Sequence, residues 1–209
     1  DWQYFNPVIY TNLSQFGLNN KNNILIGADL KVKLTNKINI YGQFMADDLS
    51  NTKKLGNGTG YQLGLNCYDF LGVKKLFFQV EYNNVSEGSY TGPIGAISNQ
   101  SYSHYNQTLA YSPGYGQELL FLTDYKYKRF YVNLKYHYQI VPLNGDYNYA
   151  TEIVNGKIGY LINPAYNLNL FLGYNYRNQN FPNFKNLTNQ TNYIYLGFRT
   201  NFYNFYYDY

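Results

Sequence analysis

Apolar and polar residues take turns along most of this chain, most cleanly between Ile24 and Asp48. There Ile24, Ile26, Ala28, Leu30, Val32 and Leu34 share one face, with Asp29, Lys31 and Lys33 between them. Thr35, Asn36 and Lys37 turn the chain. Ile38, Ile40, Gly42, Phe44 and Ala46 then resume the pattern against Asn39, Tyr41, Gln43 and Asp47. A period of two in two runs joined by a short polar turn predicts a β-hairpin. Each arm is roughly 10 to 11 residues, enough for a tilted strand to cross a bilayer and about twice the average globular strand.

The same rule predicts further strands at about 60–70, 75–85, 118–126, 130–140, 154–162, 168–176 and 193–202. Their apolar faces carry Leu63 and Leu65, Phe78 and Val80, Phe130 to Ile140, Ile158 to Ile162, Leu168 to Leu172, and Ile194 to Phe198. The strand at 118–126 alternates most weakly. Leu119, Phe121, Thr123 and Tyr125 are assigned to its apolar face because Glu118, Asp124 and Lys126 share the other register. That makes about nine strands. Connections at 35–37, 71–74, 127–129 and 163–166 are short, and those at 49–59, 86–117, 141–150 and 179–190 are long. Short turns on one rim and long loops on the other are the layout of a bacterial outer-membrane barrel, with the long loops outside the cell.

The expected fold is therefore all-β, an antiparallel transmembrane β-barrel of the outer-membrane type with 9–10 strands visible. A soluble β-barrel or solenoid is the competing architecture. Residues 1–209 form a single barrel domain or the C-terminal segment of one, and 86–117 is its long extracellular loop. Nine strands conflict with the even strand number of single-chain bacterial barrels. Either residues 4–16 supply a tenth strand, or the chain is part of a larger barrel; the second is the expectation.

Composition agrees. Aromatic residues make up 21% of the chain, with 28 Tyr and 14 Phe, while charged residues are only 13%. That charge content is about half of what a soluble domain carries. The apolar run needed for a transmembrane helix is absent, so closed strands are the route left for crossing a bilayer. With no signal peptide at its start, the chain is expected to be a mature or trimmed product. Cys67 is the only cysteine and sits on the apolar face. The net charge of +4 is dispersed, and nucleic acid is not an expected partner.

Several short motifs carry a resemblance. They are Asn6-Pro7-Val8, Leu25-Ile26-Gly27-Ala28-Asp29, Ile40-Tyr41-Gly42-Gln43, Asp47-Asp48, and Phe78-Gln79-Val80-Glu81-Tyr82-Asn83. The most specific is Tyr102-Ser103-His104-Tyr105-Asn106-Gln107 with Leu109-Ala110-Tyr111. In these the chain resembles the C-terminal part of outer-membrane barrels related to the capsule-assembly protein Wzi and the gliding-motility protein RemB. The resemblance implies a large barrel at the surface of a Gram-negative cell. It would act as a structural or adaptor component in surface-polysaccharide attachment, gliding motility or secretion. Tyr111-Ser112-Pro113-Gly114 departs from the His-Pro expected after that motif, so no loop-specific activity is carried over.

The polar face gathers Lys31, Lys33, Lys135, Lys157, Arg177 and Arg199 against Asp29, Asp47, Glu81 and Asp124. A barrel interior must be polar and self-neutralising, which accounts for this mixture; a cationic path for anionic sugars is the sharper alternative. The loop residues Tyr90, Tyr102, His104, Tyr105, Asn106 and Tyr111 are candidates for binding at the surface, by plugging the lumen or by stacking on sugar rings. Ser103, His104 and Asn106 have the composition of a barrel phospholipase. A serine adjacent to its histidine in a loop lacks the oriented base that a nucleophile needs. The expectation is a non-enzymatic protein with no catalytic site, metal or cofactor. Its partners would be outer-membrane lipid and a surface polysaccharide, motility or secretion component. A porin-like channel for small or anionic solutes is the alternative.

Overall fold

The computed structural model describes residues 25–47, 58–87, 89, 103–104, 107–108, 111, 114–142, 148–181 and 188–200. The candidate strand at 4–16 lies outside them. Nine strands make one antiparallel sheet in chain order: β1 (Leu25–Lys33), β2 (Ile38–Asp47), β3 (Thr59–Tyr68), β4 (Leu76–Val85), β7 (Gly116–Tyr127), β8 (Phe130–Pro142), β9 (Asn148–Asn163), β10 (Leu168–Asn180) and β11 (Thr188–Arg199). Two short strands, β5 (Ser103–His104) and β6 (Gln107–Thr108), pair with each other inside the long loop. Among the described residues β1 pairs only with β2 and β11 only with β10, so the sheet is open. No helix there is long and apolar enough to cross a membrane, which has no bearing on crossing by strands.

Register keeps the two faces distinct across the sheet. Leu30, Gly42, Leu63, Tyr82, Leu119 and Tyr138 are consecutive cross-strand partners on the apolar face. The weakly alternating β7 thus presents Leu119, Phe121 and Thr123 beside Tyr138, Tyr136 and Leu134. Among the described residues nothing packs against this face. Leu30 is 67% exposed, Leu63 59%, Ile158 59% and Leu196 73%. The buried hydrophobic residues among those described are only Ala46, Val85, Tyr111 and Val141. On the exposed face Leu63, Val80, Leu134, Ile158 and Leu172 form an aliphatic zone. Tyr61 and Tyr82, their rings 6.0 Å apart, border it toward the long loops. Phe130 and Tyr160, 4.8 Å apart, border it toward the short turns.

The short-turn rim is tied together. The Lys37 carbonyl accepts from the Tyr68 amide at 2.8 Å, and the Arg129 carbonyl accepts from the Leu161 amide at 2.8 Å. A 3-10 turn, Phe70–Gly72, joins β3 to β4, with Asp69 and Leu71 both at φ 52°. Asp69 stabilises that unusual backbone: its Oδ1 accepts from the Lys75 amide at 2.8 Å, and its Oδ2 lies 3.0 Å from Lys37 Nζ. On the long-loop rim, Ser86 Oγ accepts from the Gly58 and Thr59 amides at 2.9 and 2.8 Å, pinning the chain where it leaves β4.

Candidate functional site

Chemistry concentrates on the polar face, because alternation sends every ionisable strand residue that is not outward to this side. Two structural devices shape it. The first is glycine opposite an aromatic ring. Tyr41 faces Gly64, Tyr131 faces Gly159, Tyr195 faces Gly173 and Phe171 faces Gly197. A Cβ placed on any of these glycines would lie 2.1–2.2 Å from the ring. Each ring therefore leans over a neighbouring strand that offers no side chain, which is how aromatics stabilise glycines in curved sheets.

The second device is a hydrogen-bond network across five strands on the long-loop half. Tyr41 Oη donates to Glu81 Oε2 at 2.5 Å, and Gln79 Nε2 donates to Tyr41 Oη at 2.8 Å. Gln62 and Asn83 donate to Glu81 Oε1 at 2.8 and 2.9 Å. Asn83 also donates to Glu118 Oε2 at 3.1 Å. Glu118 Oε1 lies 2.7 Å from His137 Nδ1 and accepts from Gln139 at 3.0 Å. Both carboxylates are thus surrounded by donors, as buried charge requires.

Gln62, Glu81, Asn83, Glu118, His137 and Gln139 of this network line a concavity of about 800 Å³ that also includes Asp29 and Tyr111. Tyr111 comes from the long loop and is buried there, 8% exposed. Burial pushes its phenol above the ordinary range, and the neighbouring Glu118 carboxylate adds to the shift. The phenol stays neutral at physiological pH. Lys135 and Arg177, two of the basic polar-face residues, do not line this concavity. Register sets Lys135 beside Leu122 and Asn155, and Arg177 beside Ile153 and Thr191.

The short-turn half differs. Lys75, Lys126, Lys157 and Arg199 line a second concavity of about 490 Å³, where Asp124 is the one carboxylate among the lining residues. Asp124 accepts from the amide of Asn133. Lys157 Nζ lies 4.8 Å from the centroid of Phe171.

The six basic residues singled out from the sequence all fall on the polar register, but they do not form one path. Lys157 and Arg199 share the second concavity, and Lys31 lines a separate one of about 310 Å³ with Asp29 and Tyr41. Glu81 and Glu118 gather toward the long loops and Lys75, Lys126, Lys157 and Arg199 toward the short turns, while Arg177 near the long-loop end of β10 and Asp124 near the short turns run against that division. Of the loop candidates, Tyr90, Tyr102, Tyr105 and Asn106 lie outside the described residues, and the backbone of His104 pairs with Gln107. Sequence reading missed that Glu118 meets His137 and that Tyr41 spans to Glu81. Both pairs follow from which strands are neighbours and in what register, and alternation within one strand carries no such signal. Compared with protein-family models, with curated proteins and with solved structures, the chain gives no match.

Proposed function

We propose that the chain is part of a bacterial outer-membrane β-barrel, larger than the nine strands described, and that the barrel is a non-enzymatic structural or adaptor component at the cell surface. The observation that carries this reading is the apolar face. It runs unbroken across nine strands, carries large side chains that are mostly exposed, and has aromatic residues at both borders. A face of this extent is not tolerated in water, whereas lipid solvates it without cost. Strands in hydrocarbon must also have no open edge. With nine antiparallel strands, β1 and β11 run in the same direction, so an odd number of added strands closes an all-antiparallel barrel. The adaptor role, in surface-polysaccharide attachment, gliding motility or secretion, draws on the resemblance to Wzi-like and RemB-like barrels. Burial of Tyr111 in the larger concavity favours an interior occupied by its own loop over a wide diffusive pore.

Cys67 gives a direct test, since it is the only cysteine and lies on the apolar register. The protein labelled there with a bimane and reconstituted in liposomes should be quenched by nitroxide-bearing lipid and not by aqueous iodide. Quenching by iodide alone overturns the membrane reading. In planar bilayers the same preparation should be nearly silent, while large steady currents would favour the porin-like alternative. Partners that co-purify from the native membrane in mild detergent then identify the machinery.

A further inference from the structure

We infer that the short-turn end of the polar face carries an anion-binding site, built by Lys157 and Arg199 with Lys75 and Lys126, for a ligand bearing phosphate or carboxylate groups. The inference rests on the polar face being the wet interior proposed above.

Four cations converge on one concavity of about 490 Å³, a volume within the range of small-ligand sites. Its one carboxylate among the described lining residues, Asp124, is engaged by the Asn133 amide. Among the described residues none of the four cations has a carboxylate oxygen within 4.0 Å. The contrast with the rest of the protein is informative. At the rim Lys37 does reach a carboxylate, Asp69 at 3.0 Å, and at the opposite end of the face Glu81 and Glu118 are enclosed by amide, phenol and imidazole groups. Glu81 and Glu118 are satisfied internally, and the four cations at the short-turn end have no carboxylate partner among the described residues. Like charges gathered around one concave space raise the local potential and attract counter-ions.

The surroundings favour an oxyanion with hydrogen-bonding capacity over a bare halide. Tyr131, Asn133, Asn167 and Asn169 line the same space and offer neutral donors and acceptors. Asn169 is held in place by donating to the Asn167 carbonyl at 2.6 Å and to its Oδ1 at 2.9 Å. Phe171 sits against Lys157 Nζ at 4.8 Å, which positions the ammonium by a cation–π contact while leaving its N–H groups for a ligand. Arg199 supplies the planar fork suited to bidentate recognition of phosphate or carboxylate.

The test is calorimetric titration of the full protein in detergent with pyrophosphate and, separately, with trigalacturonate at low and moderate salt. Saturable, salt-sensitive binding of either probe is expected. Binding of pyrophosphate alone identifies a phosphorylated ligand, and binding of trigalacturonate alone a carboxylated one. Lys157→Gln and Arg199→Gln should each weaken binding about tenfold, a loss typical of one charge-assisted hydrogen bond. Lys157→Arg, which keeps the charge, should stay within about threefold of wild type, while Arg199→Lys keeps the charge but loses the bidentate fork and should fall between wild type and Arg199→Gln. Asp124→Asn removes the lone opposing charge and should tighten binding, a gain that a misfolded variant cannot give. Lys31→Gln, on the same face in another concavity, should leave binding unchanged. The site is overturned if neither probe saturates, if the two Gln variants bind like wild type, or if Lys31→Gln loses as much as they do. A protein whose Cys67 label is not quenched by lipid yet still binds pyrophosphate would retain the site and lose the barrel reading.

Discussion

The ring of Tyr41 fills the space above Gly64, where a Cβ would lie 2.1 Å from its Cζ, and its hydroxyl reaches past β3 to donate to Glu81 on β4 at 2.5 Å. Three strands are thereby joined by one side chain on top of their backbone ladder. The glycine is required by the close approach, since any side chain at 64 displaces the ring and breaks the bond to Glu81. Gly64→Ala should therefore destabilise by about 1–3 kcal/mol, the usual range for overpacking. In a Tyr41→Ala background the same change should cost much less, giving a coupling of about 1–2 kcal/mol in a double-mutant cycle. Urea unfolding in micelles measures it. Additive losses would show that the ring does not depend on the glycine.

Leu134 and Asn133 are neighbours in β8 that face opposite ways. Leu134 lies in the aliphatic zone, 48% exposed, while Asn133 is opposite Asp124 and Lys157. On the barrel reading, Leu134→Arg places a guanidinium in the hydrocarbon and should cost about 2–4 kcal/mol near the midplane. Asn133→Arg meets the Asp124 carboxylate in a wet interior and should assemble normally. Heat-modifiable gel migration of the two variants, expressed in parallel, checks the contrast. Equal assembly of both would remove the lipid-facing assignment.

The alternation that made the strands legible also explains where the reading fell short. Apolar periodicity located nine strands and their faces, including β7, where charged residues fixed the register. It set the loop at 141–150, yet β8 runs to Pro142 and β9 starts at Asn148. Pairing there continues above the apolar zone, with Glu152 and Asn178 on what is otherwise the greasy face. Once both faces are polar, the period of two vanishes from the sequence while the ladder persists. The site was legible only as an inventory. Glu118, His137 and Lys157 could each be assigned to the polar face. Which of them meet depends on a cross-strand register that single-strand periodicity does not encode.

Asp69 offers a pH-dependent handle on the short-turn rim. The Lys75 amide and then the Lys37 ammonium hold its carboxyl below the usual carboxylate range. A folded-state value below the unfolded one means that the stabilisation is complete above the unfolded value, about 4, and is lost as pH falls through the folded value. Exchange of the Lys75 amide should accelerate as the pH is lowered below 4, beyond the trend of other turn amides. Asp69→Asn tolerates the same left-handed backbone and keeps an acceptor for Lys75, so it should abolish that excess without unfolding the turn. An unchanged pH profile in the Asn variant would show that the carboxylate is not the cause.

Among the described residues of the long loop, Tyr111 is the one that lines the larger concavity, and its removal should widen that space. The phenol is buried beside Glu118, and both influences raise its ionisation above the ordinary value. For such a group the neutral form is favoured in the folded state. Its contribution is fully present below the unfolded value, about 10, and is lost as pH rises through the folded value. Between pH 6 and 9 the contact should therefore be constant, and it should weaken only in strong alkali, where the unfolded or released phenol ionises first. On the barrel reading, Tyr111→Ala should raise single-channel conductance in planar bilayers severalfold at pH 7, with heat stability retained because the strand ladder is untouched. Tyr111→Phe keeps the ring in the concavity and drops the hydroxyl, so it separates space-filling from hydrogen bonding. Currents like wild type in the Phe variant and large currents in the Ala variant would assign the effect to the ring. If the Ala variant stays as silent as wild type, Tyr111 does not gate the interior.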